Sequence, residues 1–340
     1  MILVTGATGM VGSYLAIYLL ENGQNIRAIY REMKSIEKTK AVFDLNNKVH
    51  LFDKINWVQA DITDIPALEI AFANVEYVYH CAALVSFDPK DENKLRKINI
   101  EGTANIVNFC LANKIKKLCH VSSIAALGDL QEHEKIIDET TEWNPEKSHS
   151  YYAISKFGAE IEVFRAHQEG LNVVIVNPGV ILGAGFWNSG SGEIFSKVKN
   201  GLSFYTDGSS GFVSVIDLVK IMFLLMNSNE NGEKFIIISE NCSYKSILDA
   251  VANELKVKKP TYKISKTILS LGWRIDWISA NLFLRKRKLS RDLAISLLAN
   301  DLYSNNKIKN LLSYEFEQVT VFIKEIIKLE KLVKQQQVNT

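Results

Sequence analysis

Charge of one sign is scarce in this chain. Forty Lys and Arg stand against 38 Asp and Glu in 340 residues, a formal net charge of +2. Such a balance gives no global basic field for nucleic acid. Cysteine is also scarce. The four (Cys81, Cys110, Cys119, Cys242) are scattered with no C-x-x-C pair, which leaves no disulfide framework and no thiolate metal site to expect. Three of them sit in apolar segments and read as buried thiols, as suits a reducing cytoplasm. No run of roughly 18 apolar residues occurs, so no transmembrane helix is expected. The first strand reads from Ile2, which leaves no room for the basic start of a signal peptide. One segment qualifies this picture. Ile268 to Leu284 is rich in Trp, Leu and Ile, and Arg285-Lys286-Arg287-Lys288 follows. It could rest on a membrane surface. The preferred reading is a pocket-lining helix with a solvated basic end, without membrane contact.

What is present begins at once. Ile2-Leu3-Val4-Thr5 is a short apolar run that meets Gly6-Ala7-Thr8-Gly9-Met10-Val11-Gly12, after which Ser13 to Leu20 reads as an apolar helix. A strand, a glycine turn and a helix N-terminus in that order form a phosphate-binding unit. Gly6 allows the sharp turn, Gly9 lets backbone N–H groups approach a pyrophosphate, and Gly12 lets helix and strand pack closely.

Strand and helix patterns then alternate. The apolar runs predict strands at Ile2–Thr5, Asn25–Tyr30, Ile55–Ala60, Val75–His80, Lys117–Val121 and Asn172–Val176. Helical patterns lie between them at Val11–Glu21, Ile65–Ala73, Asp91–Asn113 and Tyr152–Gln168, with Asp64 or Thr63 capping the second. Such alternation implies an α/β fold, a doubly wound parallel sheet. After Pro178 the pattern changes. Gly183 to Gly211 reads as a mobile glycine- and serine-rich loop region. A strand at Phe212–Val215, a helix at Ile216–Met226, a strand at Phe235–Ser239 and a mostly helical remainder follow. The division expected is a dinucleotide-binding domain over 1–180, with 212–240 packing back on it, and a smaller helical substrate lobe over 181–340.

Tyr152-Ala153-Ile154-Ser155-Lys156 places a phenol and an ammonium one helical turn apart. A lysine charge near a phenol favours the phenolate and readies it for proton exchange near neutral pH. Tyr151 is adjacent, but its fourth neighbour is Ser155, so Tyr152 is the choice. His120-Val121-Ser122-Ser123 leaves a predicted strand at its C-terminal end, the edge where open α/β sheets bind ligands. A serine there can donate to a substrate oxygen.

Together these segments resemble the extended branch of the short-chain dehydrogenase/reductase superfamily, the NAD-dependent epimerase/dehydratase family. The resemblance covers nearly the whole chain. It implies catalysis by Ser123, Tyr152 and Lys156, with Ser123 chosen because it lies five residues before Gly128. It also implies a cofactor site built from Thr5, Gly6, Thr8, Gly9, Met10, Val11 and Gly12. Asp61 and Ile62 would serve the adenine, and Ala82 and Ala83 the ribose and phosphates. Asn99, within Asn99-Ile100-Glu101-Gly102-Thr103, matches the family's Asn-x-x-Gly-Thr. Pro178, Gly179 and Ile181 would border the nicotinamide, whose ribose Lys156 also holds. No metal is implied. Many relatives pair through the helix carrying Tyr152 and its neighbour, which makes a homodimer possible.

The second strand ends Ile29-Tyr30-Arg31-Glu32. An acid usually stands there to bind the ribose of NAD, whereas an arginine accommodates the 2′-phosphate of NADP. Tyr30 holds the acid's place and Arg31 follows, so NADP(H) is favoured, with NAD(H) possible. Nucleotide-sugar enzymes of this family often read Arg-Asp-Phe-Val where this chain has Ser210-Gly211-Phe212-Val213. The arginine that would grip a diphosphate is missing. The pattern lies closer to dihydroflavonol-reductase and 3β-hydroxysteroid-dehydrogenase-like members, although Asn177 stands where many of them carry arginine. The expected activity is interconversion of a small-molecule carbonyl and alcohol by hydride transfer. A nucleotide-sugar epimerase or dehydratase with retained NAD is the alternative, and a non-catalytic cofactor sensor a third reading. Phe186, Trp187, Phe195, Phe204, Tyr205, Trp273, Trp277 and Phe283 supply core residues and, in part, an apolar substrate cleft.

Overall fold

The computed structural model describes residues 1–132, 134–283, 287 and 289–338, with side chains as far as 332. Seven strands form one sheet: β1 Ile2–Thr5, β2 Ile26–Tyr30, β3 Asn56–Gln59, β4 Tyr77–His80, β5 Lys117–Val121, β6 Val173–Pro178 and β10 Glu233–Ile237. Their order is β10-β6-β5-β4-β1-β2-β3, and each neighbouring pair runs parallel. The order reverses between β1 and β4, so a crevice opens above their C-terminal ends. The fold class expected from the sequence is the one observed.

Side-chain alternation along the strands assigns each layer of core. Ile2 and Val4 point to one face, where the helices Met10–Glu21, Met33–Leu45 and Val215–Met226 cover them. Leu3 points to the other, under Ile65–Phe72, Gly102–Ala112 and Tyr151–Gln168. Both faces are buried, which explains why the strands are short continuous apolar runs. Asp64 caps its helix by accepting from Ala67 N (3.3 Å), with Pro66 in the first turn.

Beyond Pro178 the chain builds two small sheets. Strand β9 (Ser209–Ser214) pairs in parallel with β7 (Val180–Leu182) and antiparallel with β11 (Glu240–Ser243). Strands β8 (Phe204–Tyr205) and β12 (Tyr262–Lys263) pair in parallel. A third apolar cluster joins the helices Glu193–Lys199, Tyr244–Leu255 and Val319–Val338 through Phe195, Val251, Phe322 and Ile323.

Four local expectations change. The helix Met33–Leu45 was not anticipated, and it is held by Ile36, Thr39, Val42 and Phe43 on its buried face. The helix expected at Asp91–Asn113 is not uniform. It contains a π-helical turn at Arg96–Glu101 between the α-helical pieces Glu92–Leu95 and Gly102–Ala112. Gly183–Gly211 holds the helix Glu193–Lys199, whose Phe195 and Val198 are fully buried. Trp187 stacks on Phe195 at 5.3 Å, and that burial orders a sequence its glycines suggest is loop. The helix Lys266–Leu282 buries Leu269 and Ala280 while Ile268, Leu271, Ile275 and Ile278 point outwards. Of the basic run after it, 285, 286 and 288 lie outside the described residues, as does 284.

Candidate active site

The glycine turn follows β1. Gly6 adopts φ +68°, and a Cβ there would lie 2.6 Å from Ala82 N. A Cβ on Gly12 would lie 2.3 Å from Gly6 O, against backbone that cannot yield. Gly9 is the N-cap of Met10–Glu21, in extended conformation and without a side-chain cap. The first N–H groups of that helix thus face an open surface free of any capping side chain, and an anion fits there. Thr8, Met10 and Val11 are partly exposed around it.

Thr5 does something else. Its Oγ1 bonds His80 Nδ1 (2.7 Å) and accepts from Ala82 N (3.1 Å), fully buried. It ties β1 to the end of β4 and so shapes the turn from below. Ala82 and the more exposed Ala83 continue from β4 across the crevice. Asn99 is also a clamp. It donates through Nδ2 to Leu84 O (2.9 Å) and Ser155 Oγ (2.9 Å), and its Oδ1 accepts from Leu84 N (2.7 Å). With 1 % of its surface exposed, it joins the π-turn, the Ala82–Leu84 segment and the Tyr152 helix.

At the far end of the crevice Arg31 and Asp61 meet, at 3.8 Å, beyond β2 and β3. Asp61 Oδ1 also accepts from Thr63 N and Oγ1 (both 2.8 Å). Ile62 packs where Gly102 has no side chain: a Cβ would lie 2.5 Å from its Cδ1. Pro178 ends β6, a Cβ on Gly179 would lie 2.3 Å from Gly211 O, and Ile181 pairs with Val213 in the small sheet. The groups gathered by Gly6, Gly9 and Gly12 at one end and Arg31 and Asp61 at the other fit an extended dinucleotide.

The side chains expected to react converge where β5 ends. Ser123 leads into a short turn, its Oγ accepting from Ala125 N (3.1 Å), and it stands beside Tyr152. Burial raises the Tyr152 phenol above its ordinary value, and the nearby Ser123 hydroxyl opposes that only in part. Lys156 is 2 % exposed, and its Nζ donates to Val121 O (2.8 Å). Burial brings its ammonium down to about 8, against the pull of Glu160 and Cys81. The expected depression of the Tyr152 phenol by Lys156 is therefore not the arrangement found here. The ammonium is turned to a carbonyl, and desolvation dominates the phenol.

Neighbours that sequence spacing does not reveal complete the surroundings. Phe87 lies against the Tyr152 ring, centroids 5.6 Å apart, and walls the site. Glu160, one turn beyond Lys156, accepts from Ser122 Oγ and Asn177 Nδ2 (both 2.5 Å), and burial raises its carboxyl. Asn177 Nδ2 donates to Ser123 O as well (3.0 Å), so this buried carboxyl underpins the Ser122–Ser123 corner. His80 and His120 lie behind, 5.2 Å apart; burial, aided by the Lys156 charge, holds His80 down at about 3. Of the aromatic residues expected to be mostly core and in part cleft, Phe195 is core, while Phe204, Trp277 and Phe283 are at least half exposed and so not core.

A glycine-cradled parallel sheet carrying Ser, Tyr and Lys at its C-terminal edge defines an extended short-chain dehydrogenase/reductase. The chain belongs to the NAD-dependent epimerase/dehydratase family, whose model matches residues 2–239. A putative dihydroflavonol 4-reductase of Synechocystis is 29% identical over 253 residues, covering 72% of this chain and 69% of that protein. Sterol demethylase protein B of Methylococcus capsulatus is 27% identical over 248 residues, 72% of each. The solved structure of gox2253 superposes with a TM-score of 0.80 at 25% identity, covering 98% of both chains.

Proposed function

We propose that this protein is an NADP(H)-dependent reductase that interconverts a carbonyl and an alcohol. The observation that carries the reading is the convergence of Ser123, Tyr152 and Lys156 where β5 ends, with Phe87 against the Tyr152 ring, Lys156 Nζ on Val121 O, and a phenol that is protonated at neutral pH. A protonated acid there suits the reducing direction. When bound, the nicotinamide supplies a hydride to the carbonyl carbon. Tyr152 gives its proton to the carbonyl oxygen, and the product is the alcohol. Ser123 donates to that oxygen as negative charge develops. Lys156 holds the nicotinamide ribose and, once Tyr152 has lost its proton, stabilises the phenolate.

Residues 1–180 serve the dinucleotide and 181–340 the substrate in this reading. Arg31 takes the 2′-phosphate and Asp61 the adenine. A nucleotide-sugar substrate is disfavoured at Ser210-Gly211. Neither residue carries a cation to grip a diphosphate, and a Cβ at Gly211 would lie 2.5 Å from Ile238 Cγ2, which leaves that position little room for a side chain. All four cysteines are free, consistent with a cytoplasmic setting. A homodimer through the Tyr152 helix completes the proposal.

Tyr152→Phe tests it. The ring keeps its contact with Phe87, so nucleotide binding and melting temperature stay unchanged. Carbonyl-dependent NADPH oxidation falls by about 10²–10⁴-fold, the usual worth of a positioned general acid. Turnover at the wild-type rate would refute the role.

A further inference from the structure

The helix Lys266–Leu282 has a face that none of the described residues covers. Ile268, Leu271, Ile275, Ile278 and Leu282 repeat at alternating spacings of three and four, which places them in one stripe. Each is at least 56 % exposed, and Phe283 at the helix end is 71 % exposed. The opposite face, with Leu269 and Ala280, is buried, and the helix packs on the short helix Arg291–Ser296. At its N-terminal side the exposed rings of Phe204 and Tyr262 lie 5.9 Å apart.

Charge is concentrated in the same stretch. Between positions 256 and 291 the sequence holds eleven Lys and Arg and one acid, Asp276. The whole chain carries only +2, so the remainder is net negative. Among the described residues of that stretch Lys258, Lys259, Lys266 and Arg274 are exposed, Lys263 is paired with Asp207, and Asp276 Oδ2 accepts from Leu289 N (3.1 Å).

We propose that this helix is a docking surface for an anionic lipid bilayer. The apolar stripe enters the headgroup boundary and the basic stretch meets the acidic headgroups. Charge is what selects the occupant: a second copy of this chain would bring the same basic stretch against itself. The surface adjoins the site. Lys90 Nζ donates to Asn281 Oδ1 (3.1 Å), which fastens the helix end to the segment that carries Phe87 against Tyr152. A carbonyl substrate dissolved in the bilayer would therefore enter from the lipid side, a consequence that rests on the reductase reading above.

Flotation of the full-length protein with phosphatidylcholine vesicles, with and without one-third phosphatidylglycerol, tests the proposal. The protein is expected to float with the anionic vesicles at low salt. Binding should weaken at least about tenfold on pure phosphatidylcholine, as several basic residues acting together require. Ile275→Ser with Ile278→Ser, both exposed and so harmless to folding, should abolish flotation while the melting temperature holds. Replacement of Lys258, Lys259, Lys266 and Arg274 by Gln should remove the preference for acidic lipid. Absence of flotation with either vesicle would overturn the proposal, as would flotation indifferent to these substitutions. A dimer in solution that Ile275→Ser with Ile278→Ser converts to a monomer would assign the face to a second copy instead. Vesicle binding without carbonyl reduction would refute the reductase reading and leave the docking surface standing.

Discussion

Replacing Asn99 by Ala removes three hydrogen bonds from one buried point. Two of them satisfy the N–H and C=O of Leu84, and the third reaches Ser155. The Ser155 hydroxyl still has Tyr152 O to donate to, at 2.8 Å. Leu84 loses both partners; a buried polar group left unmade costs about 1–3 kcal/mol, and the partial burial of these two trims the upper end. The loss of stability worked from these contacts is about 2–5 kcal/mol. For a chain of 340 residues the unfolding entropy converts this to a fall of about 3–7 °C in melting temperature. Function should suffer separately. The Ala82–Leu84 segment is one wall of the proposed cofactor crevice, and freeing it should weaken NADPH at least about tenfold, a change of 1.4 kcal/mol. Scanning calorimetry measures the first effect and fluorescence titration the second. Ser155→Ala is the control, expected to cost about 1 kcal/mol, since Asn99 keeps Leu84. A variant that melts within about one degree of the wild type and binds NADPH equally well would refute the clamp.

Two further outcomes follow from the same geometry. Gly12→Ala should destabilise the fold by at least about 1–3 kcal/mol because its Cβ meets backbone, whereas Gly9→Ala, with only Gly6 O at 3.4 Å, should melt normally and lose nucleotide affinity; equal melting of the two would contradict the packing argument. Lys156 loses its proton at about 8, so activity should fall as pH rises through that value. Its folded value lies below the ordinary 10.5, so the unfolded chain binds more protons between the two, and this group's contribution to stability rises with pH over that window. The wild type measured against Lys156→Met should show these opposite trends, and parallel ones would refute the assignment.

Local chemistry was legible in the sequence, and long-range chemistry was not. The glycine turn and the Tyr152–Lys156 pair are set by covalent spacing, so their elements could be read directly. The buried parallel strands announced themselves as apolar runs. Met33–Leu45 carried a readable signal, Ile36, Thr39, Val42 and Phe43 on one face, masked by its many charges. Glu160 had no such signal. It meets Ser122 across 38 positions, and only the closed sheet brings them together. Phe87 likewise reaches Tyr152 from a separate segment. The π-turn at Arg96–Glu101 keeps helical periodicity on both sides, and one extra residue per turn leaves little trace in an apolar pattern. Tyr152 shows the limit most plainly. Spacing placed the lysine beside it, but burial decided the direction in which its phenol shifts.

The central claim is reduction of a carbonyl by a freely exchanging NADPH. Its most direct test is to strip the purified protein of nucleotide, titrate it with NADPH and NADH, and follow carbonyl-dependent oxidation of each. The account predicts tighter binding of NADPH, a preference that Arg31→Ala abolishes, and oxidation that depends on the added carbonyl. Stoichiometric NAD that stays bound through purification, with no oxidation of either added nucleotide by any carbonyl, would contradict it.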